Sequence, residues 1–522
     1  MTRTDSTAAG RILVAGLLAI AAAGCEPGAP PADLPRADVD SRLIANVLIV
    51  DGSGAPAEAG AVRIRKGRIA ERGNLEALPG ETVVDGGGLV LAPGFIDTHS
   101  HADDHLFEQP GALAAVSQGI TTAVFGQDGG SPFPLLDFRF RLLEQPAAIN
   151  VAAYSGHNTL RERVMGADYR RLATETELHE MALLLERDLE AGALGLAAGL
   201  EYDPGIYSNT IEVAALARVA AAQGGRYISH IRSEDRRFEQ ALDEIIAIGQ
   251  AADLPVQISH IKLAMTSLWG RANEVLERLD AARAAGVDVT ADVYPYEYWQ
   301  SSMMVLLPER DITDRAEVEF MLREIAPPEG MWFTRYDPEP AYVGKTLADV
   351  AAARGTDPAT AFMDLIAASE AMRAENGKQA DMIIGTSMHP DDVAALILWP
   401  HSNICTDGAL TDLHPRGAGA FTRVLGRYVR EQGLLSLEEA VRKMTSLAAD
   451  HMGFTDRGRI QPGMAADLVL FDPATVVDNA TPQDPAALSS GIEKVWVNGV
   501  VVYAGGQETG ARPGRFVARS AK

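Results

Sequence analysis

The chain has 522 residues, 47% of them hydrophobic, which is enough to bury a large core and excludes a disordered protein. Acidic residues outnumber basic ones 71 to 46, giving a formal charge of -25, so the molecule's own field repels phosphate backbones and nucleic acid is not expected as a partner. Of the two cysteines, Cys25 lies in a segment expected to be processed, which leaves Cys405 without an intramolecular partner and places the burden of stability on the core.

The first segment in chain order reads as an address. "MTRTDSTAAGRILVAGLLAIAAAGC" has a basic start at Arg3 and Arg11, an apolar run over residues 12–23, and small residues before Cys25. The run is too short to span a hydrocarbon core of roughly 30 Å, and the pattern is that of a signal peptide over residues 1–24. "AAGC" also resembles the lipobox of bacterial lipoproteins, with Ala22 where Leu is commoner, which makes Cys25 the expected lipid attachment site. Ordinary secretion with cleavage nearby is the plainer alternative. Residues 25–42 are rich in Pro, Ala and acids and read as a tether. The expected location is the periplasmic side of a membrane, with the lipid anchor as the only membrane contact.

Two β-rich stretches bracket the rest. Residues 43–93 alternate in short runs such as "LIANVLIVDG" and "GAVRIRKGRIAERG", split by Gly-containing turns; residues 458–510 do the same, with a hairpin turn at Asn498 and Gly499. Neither stretch makes a comfortable domain alone, so the two are expected to pair into one small β-sandwich built from both chain ends. Between them, over residues 94–457, eight apolar runs alternate with helical patterns: "LVLAPGFIDTH", "TTAVFG", "INVAAYSG", "ALGLAAGL", "RYISHI", "PVQISHI", "VDVTADVYPY" and "SNICTDG". Near-continuous apolar strands separated by helices call for a parallel sheet buried on both faces, and eight such units fit an α/β fold of the (β/α)8 barrel type. Ile228-Ser229-His230-Ile231 recurs as Ile258-Ser259-His260-Ile261, thirty residues later, about one βα unit.

Catalytic groups in such a barrel come from the carboxyl ends of its strands. Those ends hold His99 and His101, then Asp128, His157, Glu201, His230, His260, Tyr294 and Asp407, in a chain with only eleven histidines. His99 and His101 stand two apart on an extended segment and leave the same face, so both can meet one ion. Nitrogen and carboxylate ligands converging at a barrel mouth suit zinc. For Asp97, Asp103, Asp104 and His105 the expectation is turn formation, capping or support of the ligands. His157 and Glu201 are expected to line the pocket or hydrogen-bond within the scaffold, and Cys405 to be a small core residue.

"GFIDTHSHADD", "GALGLAAGLEYDPGIYS", "YISHIRSE", "ISHIK", "DVYPY" and "DGALTDLHPRGAGAFTRVLG" resemble the amidohydrolase superfamily and, within it, the N-acyl-D-amino-acid deacylases. The resemblance runs from about residue 43 to about residue 505. It implies a zinc-dependent barrel, with one or two ions, that hydrolyses the amide of an N-acylated D-amino acid. By the same resemblance His99, His101, His230, His260 and Asp407 fall on metal positions, Asp407 being also the catalytic proton carrier. Lys262, Tyr294 and Arg416 fall where the family holds the substrate carboxylate, and Met388 where it meets the acyl group. Chirality rests wholly on the resemblance.

One departure stands out. Where these deacylases usually carry "GNCG", with the cysteine thiolate as zinc ligand, this chain has "GQDG" over residues 126–129. Asp128 is therefore the expected replacement ligand, and a carboxylate admits other divalent ions more readily than a thiolate does. The aromatic- and Met-rich stretch near residues 298–345 is expected to form a lid over an acyl pocket. Rival readings are a dipeptidase releasing D-residues, a cyclic-amide amidohydrolase, and an inactive ligand-binding lipoprotein on the same scaffold.

Overall fold

The computed structural model describes residues 41–520, so the leader, Cys25 and all but the end of the tether lie outside the described residues. Eight parallel strands form a barrel: β1 (Phe95–Asp97), β2 (Ile120–Phe125), β3 (Asn150–Ala153, resuming at Ser155–Gly156), β4 (Gly195–Gly199), β5 (Arg226–His230), β6 (Val256–Ile258), β7 (Val289–Val293) and β8 (Ser402–Ile404). They pair in that order. The ring closes where the Asp407 N–H donates to the His99 carbonyl and the His101 N–H to the Gly408 carbonyl, both at 2.9 Å. All eight strands lie in the runs read from the sequence. They are legible there because a strand covered on both faces has no polar side to show, and every residue of β2 is buried.

One of those runs is divided between two sheets. Val90–Pro93 belongs to the sheet made by the chain ends, whereas Phe95–Asp97 starts the barrel. Gly94 sits at the break; a Cβ there would lie 2.2 Å from the Thr121 side chain, so only glycine lets the chain pass.

The chain ends interleave. Val90–Pro93 pairs antiparallel with Leu468–Phe471, joining strands from both termini into one nine-stranded sheet. Its far strand, Arg68–Gly73, returns to bridge Ala465 through Arg68, so the sheet wraps a core of Ile44, Val62, Ile69, Leu91, Leu468 and Trp496. The small sandwich expected from both chain ends is present, its strands joined into one continuous sheet that curls over this core. Asn498 and Gly499 both take positive φ, +48° and +78°, as a two-residue hairpin turn requires.

Two features extend beyond the expected boundaries. The chain past residue 510 docks on the barrel: Val151 accepts from Val517 at 2.7 Å and donates to the Arg515 carbonyl at 2.9 Å. This short bridge fills the edge of β3 that β4 leaves open, since β4 pairs only with Ser155 and Gly156. The insertion after β7 does not end near residue 345. Its antiparallel sheet joins Tyr298–Ser301 and Met331–Tyr336 to a central strand, Asp381–Thr386, and the helices Leu347–Arg354 and Pro358–Asn376 pack on the same separate core. Among the described residues no helix is long and apolar enough to cross a membrane.

Candidate metal centre

The barrel brings six of the expected residues to one point. His99 Nε2 lies 3.4 Å from Asp128 Oδ1 and 3.5 Å from Asp407 Oδ1; His101 Nε2 lies 3.4 Å from Asp128 Oδ2 and 3.2 Å from Asp407 Oδ1. His260 Nε2 is 3.4 Å from Asp128 Oδ1 and 3.0 Å from His230 Nδ1. Ligand atoms of His99, Asp128, His260 and Asp407 all fall within 4.8 Å of one another, and His230, Glu234 and His260 form an adjoining group of the same compactness.

Local backbone geometry builds this convergence. Asp128, His260 and Asp407 have φ of +52°, +34° and +50°. A non-glycine residue in this left-handed region costs about 1–2 kcal/mol, so at three strand ends the fold accepts strain to turn a side chain into the mouth.

The donor set fits a divalent ion. Both ring nitrogens of His99 and Asp128 Oδ1 are buried without a hydrogen-bond partner among the described residues, a state that buried polar atoms rarely tolerate unless something binds them. Burial raises the Asp128 carboxyl, but His99 and His260 outweigh it and hold the group well below the ordinary carboxylate range. Burial likewise opposes ionisation of Asp407, and Arg416 with His260 overcomes it, leaving a carboxylate. Imidazole nitrogens and carboxylate oxygens in this arrangement suit zinc, and they leave room for harder divalent ions.

The next layer fixes the orientation of the cluster. Asp97, buried, accepts from the Thr406 N–H at 2.9 Å and the Thr406 hydroxyl at 2.6 Å, tying β1 to the segment before Asp407. Asp292, in the middle of β7, accepts from the Gln257 amide at 2.6 Å and the His260 N–H at 2.5 Å. Glu234 lies 3.0 Å from His260 Nδ1 and accepts from Lys262 Nζ at 2.6 Å. Glu201 is 2.9 Å from His230 Nε2. Asp292 and Glu234 were not singled out from the sequence. An aspartate inside the apolar run "VTADVYPY" was the available signal for the first; the second, in a loop four residues past His230, offered none.

Other expectations resolve as follows. Asp103 and Asp104 sit in the short turn Ala102–Asp104 directly after His101. His157 is buried 2.8 Å from Glu212, a carboxylate that also takes Arg161, and so belongs to the scaffold. Cys405 is fully buried, its thiol pushed well above its ordinary pKa by burial and 3.3 Å from Asp292, which suits a core residue and not a ligand. Met388 is buried in the main hydrophobic core and is not among the residues that line the cavity. Met382, on the insertion's central strand, reaches the cavity instead.

A cavity of about 390 Å³ opens over the centre, between the barrel mouth and the insertion. Lys262, Tyr294 and Arg416 all line it, beside His101, Asp128 and Asp407. The Tyr294 hydroxyl is buried without a partner among the described residues, and burial raises the phenol well above its ordinary pKa, so it stays a neutral donor. The Arg416 guanidinium lies 5.0 Å from the Tyr294 ring and donates through Nη1 to Asp407 Oδ2, while its Nε makes no hydrogen bond among the described residues. A carboxylate entering here would meet a lysine, a phenol and one open edge of a guanidinium.

A protein-family model described as "Amidohydrolase family" matches residues 82–503. The chain is 40% identical over 498 residues to an N-acyl-D-glutamate deacylase of Alcaligenes xylosoxydans xylosoxydans, covering 91% of this chain and 95% of that one. It is 36% identical to a D-aminoacylase of the same organism, covering 92% and 98% of the two chains. The crystal structure of the N-acyl-D-glutamate deacylase of Bordetella bronchiseptica, complexed with zinc and a phosphonate inhibitor that mimics the tetrahedral intermediate, superposes with a TM-score of 0.81 at 37% identity, over 91% of this chain and 99% of that one. The motifs at the strand ends, the barrel that closes around them and these full-length likenesses agree: the chain belongs to the amidohydrolase family and, within it, to the group of the N-acyl-D-amino-acid deacylases.

Proposed function

We propose that this protein is a metal-dependent hydrolase that cleaves N-acyl-D-amino acids to a carboxylate and a free D-amino acid. The observation that carries the reading is the meeting, in one cavity, of the His/Asp cluster with the carboxylate-binding set Lys262, Tyr294 and Arg416. His99, His101, Asp128, His230, His260 and Asp407 are the residues that would hold zinc, as one or two ions. A divalent ion bound there supplies Lewis acidity for the scissile carbonyl and lowers the pKa of water from 15.7 toward about 7.

The protein's own groups do the rest. Asp407 accepts the proton of the attacking water and returns it to the leaving amine nitrogen. Arg416 keeps that carboxylate oriented through Oδ2 and, with Lys262 and Tyr294, anchors the substrate's α-carboxylate. Charge-assisted hydrogen bonds of this kind contribute about 1.5–3 kcal/mol each, so Arg416→Ala should raise KM by roughly 10- to 100-fold, with a smaller loss in kcat through Asp407. Steady-state kinetics check this; equal cleavage of substrates with and without a free carboxylate would contradict the anchoring role.

The direct test uses the chain without residues 1–25, loaded with Zn²⁺, and measures free amine from matched N-acetyl-D- and N-acetyl-L-amino acids. Turnover confined to the D series is expected. Turnover on neither, with metal bound, would overturn the reading. Export and lipid attachment at Cys25 form part of the same proposal; they rest on the basic, apolar and small-residue pattern of residues 3–25.

A further inference from the structure

We infer that the cavity selects N-acyl-D-amino acids with uncharged side chains and rejects those carrying a side-chain carboxylate. This rests on the deacylase reading and names its substrate class.

The charges lining the cavity decide the matter. Five carboxylates face it, Asp128, Glu201, Glu234, Asp235 and Asp407, against two side-chain cations, Lys262 and Arg416. With one divalent ion bound and Asp235 paired to Arg236, the lining carries no excess positive charge, and the two remaining cations are the ones that the substrate's α-carboxylate requires. A glutamate or aspartate side chain would need a third. Two guanidiniums that bond lining residues, Arg310 and Arg236, are committed to other partners as well. Arg310 contacts Asp203 at 3.2 Å and the carbonyls of Glu201, Leu307 and Met304 at 2.8, 3.0 and 3.3 Å; Arg236 pairs with Asp235 at 2.7 Å and Glu317 at 2.5 Å. Neither lines the cavity.

The part of the lining that the insertion supplies is neutral. Ala264, Trp299, Val305, Leu306, Ile325 and Met382 make the apolar wall, all but Ala264 coming from the insertion. Trp299 is held in place by its indole N–H, which donates to the Ser387 hydroxyl at 2.6 Å. The polar remainder comes from Gln300, Ser301, Ser302 and Gln379. The Gln300 amide nitrogen donates to Asp412 at 3.1 Å, which leaves its oxygen, buried and without a partner among the described residues, as one more acceptor at the cavity wall. A second carboxylate would lose its hydration to carboxylates, an unpaired acceptor and hydrocarbon, with no cation in compensation. An amide, thioether or alkyl side chain meets none of these penalties.

The experiment compares kcat/KM of the zinc-loaded enzyme on N-acetyl-D-glutamine, N-acetyl-D-methionine and N-acetyl-D-glutamate, the first and last being nearly isosteric. Glutamate is expected to be at least about 100-fold poorer than both others, the scale of an uncompensated like-charge contact. Glutamate equal to or better than glutamine overturns the inference while the deacylase reading stands. No turnover of any of the three overturns the deacylase reading, and this inference falls with it. Ser302→Arg supplies a cation at the neutral wall and should narrow the glutamine-to-glutamate ratio at least tenfold; an unchanged ratio in a folded variant, repeated with Gln379→Arg, would show that charge is not the discriminator.

Discussion

Replacing Asp407 with Asn is expected to lower kcat by about 10²- to 10⁴-fold while the fold survives, because the substitution removes the proton acceptor along with the charge that faces the metal cluster and Arg416. Asparagine is among the residues that best tolerate left-handed backbone, so the φ of +50° at this position costs the variant little. The backbone bond from residue 407 to the His99 carbonyl, which closes the barrel, involves no side chain and is retained. Three measurements separate the possibilities: amine release gives kcat, the thermal midpoint reports the fold, and elemental analysis gives bound metal. Metal retained with turnover lost assigns Asp407 as proton carrier. Metal lost as well assigns it chiefly as ligand, and near-normal turnover would refute both roles.

The second large effect concerns Asp128, which stands where related deacylases usually carry a cysteine. Its Oδ1 lies 3.4 Å from the Nε2 of both His99 and His260, and its Oδ2 lies 3.4 Å from that of His101, so one carboxylate faces three imidazoles. Asp128→Asn keeps the shape and the tolerance of positive φ but removes the charge. Its metal affinity, measured by competition with a chromogenic chelator, should fall by more than the 10- to 100-fold typical of losing a mere supporting partner. Asp128→Cys restores an anionic ligand of softer character and should shift preference toward zinc over manganese or magnesium. Unchanged stoichiometry and affinity in Asp128→Asn would reduce this residue to a turn former in "QDGGS".

These two variants also separate one centre from two. Asp407 contacts His99 and His101 but also, through Oδ2, Arg416, whereas Asp128 meets His99, His101 and His260. Loss of Asp128 should therefore disturb contacts to all three imidazoles, while loss of Asp407 should act most strongly on the His99 and His101 side. Titration of each variant with zinc, read as the number and affinity of binding steps, measures that difference.

Much of this molecule follows from local pattern. The eight barrel strands, their order and the placement of His99, His101, Asp128, His230, His260 and Asp407 at strand ends were legible because a doubly covered strand is an unbroken apolar run, and its end is where polar chemistry begins. The pairing of the two chain ends was legible for a related reason: neither half could bury its own face. What the sequence left open depends on contacts between residues far apart in the chain. The break at Gly94 is set by the Thr121 side chain packed over it, which no reading of "LVLAPGFIDTH" can show. The insertion runs to residue 386 because its central strand is its last, and strand order within a sheet is a tertiary property. Glu234, Asp292 and the Arg416–Asp407 pair acquire their roles only when strand ends and loops far apart in the chain meet at the barrel mouth, and Met388 packs in the main core there instead of lining the cavity. Strand identity is written in side-chain periodicity over a few residues; which charge faces which is written in barrel closure, and that is settled by packing across hundreds of residues.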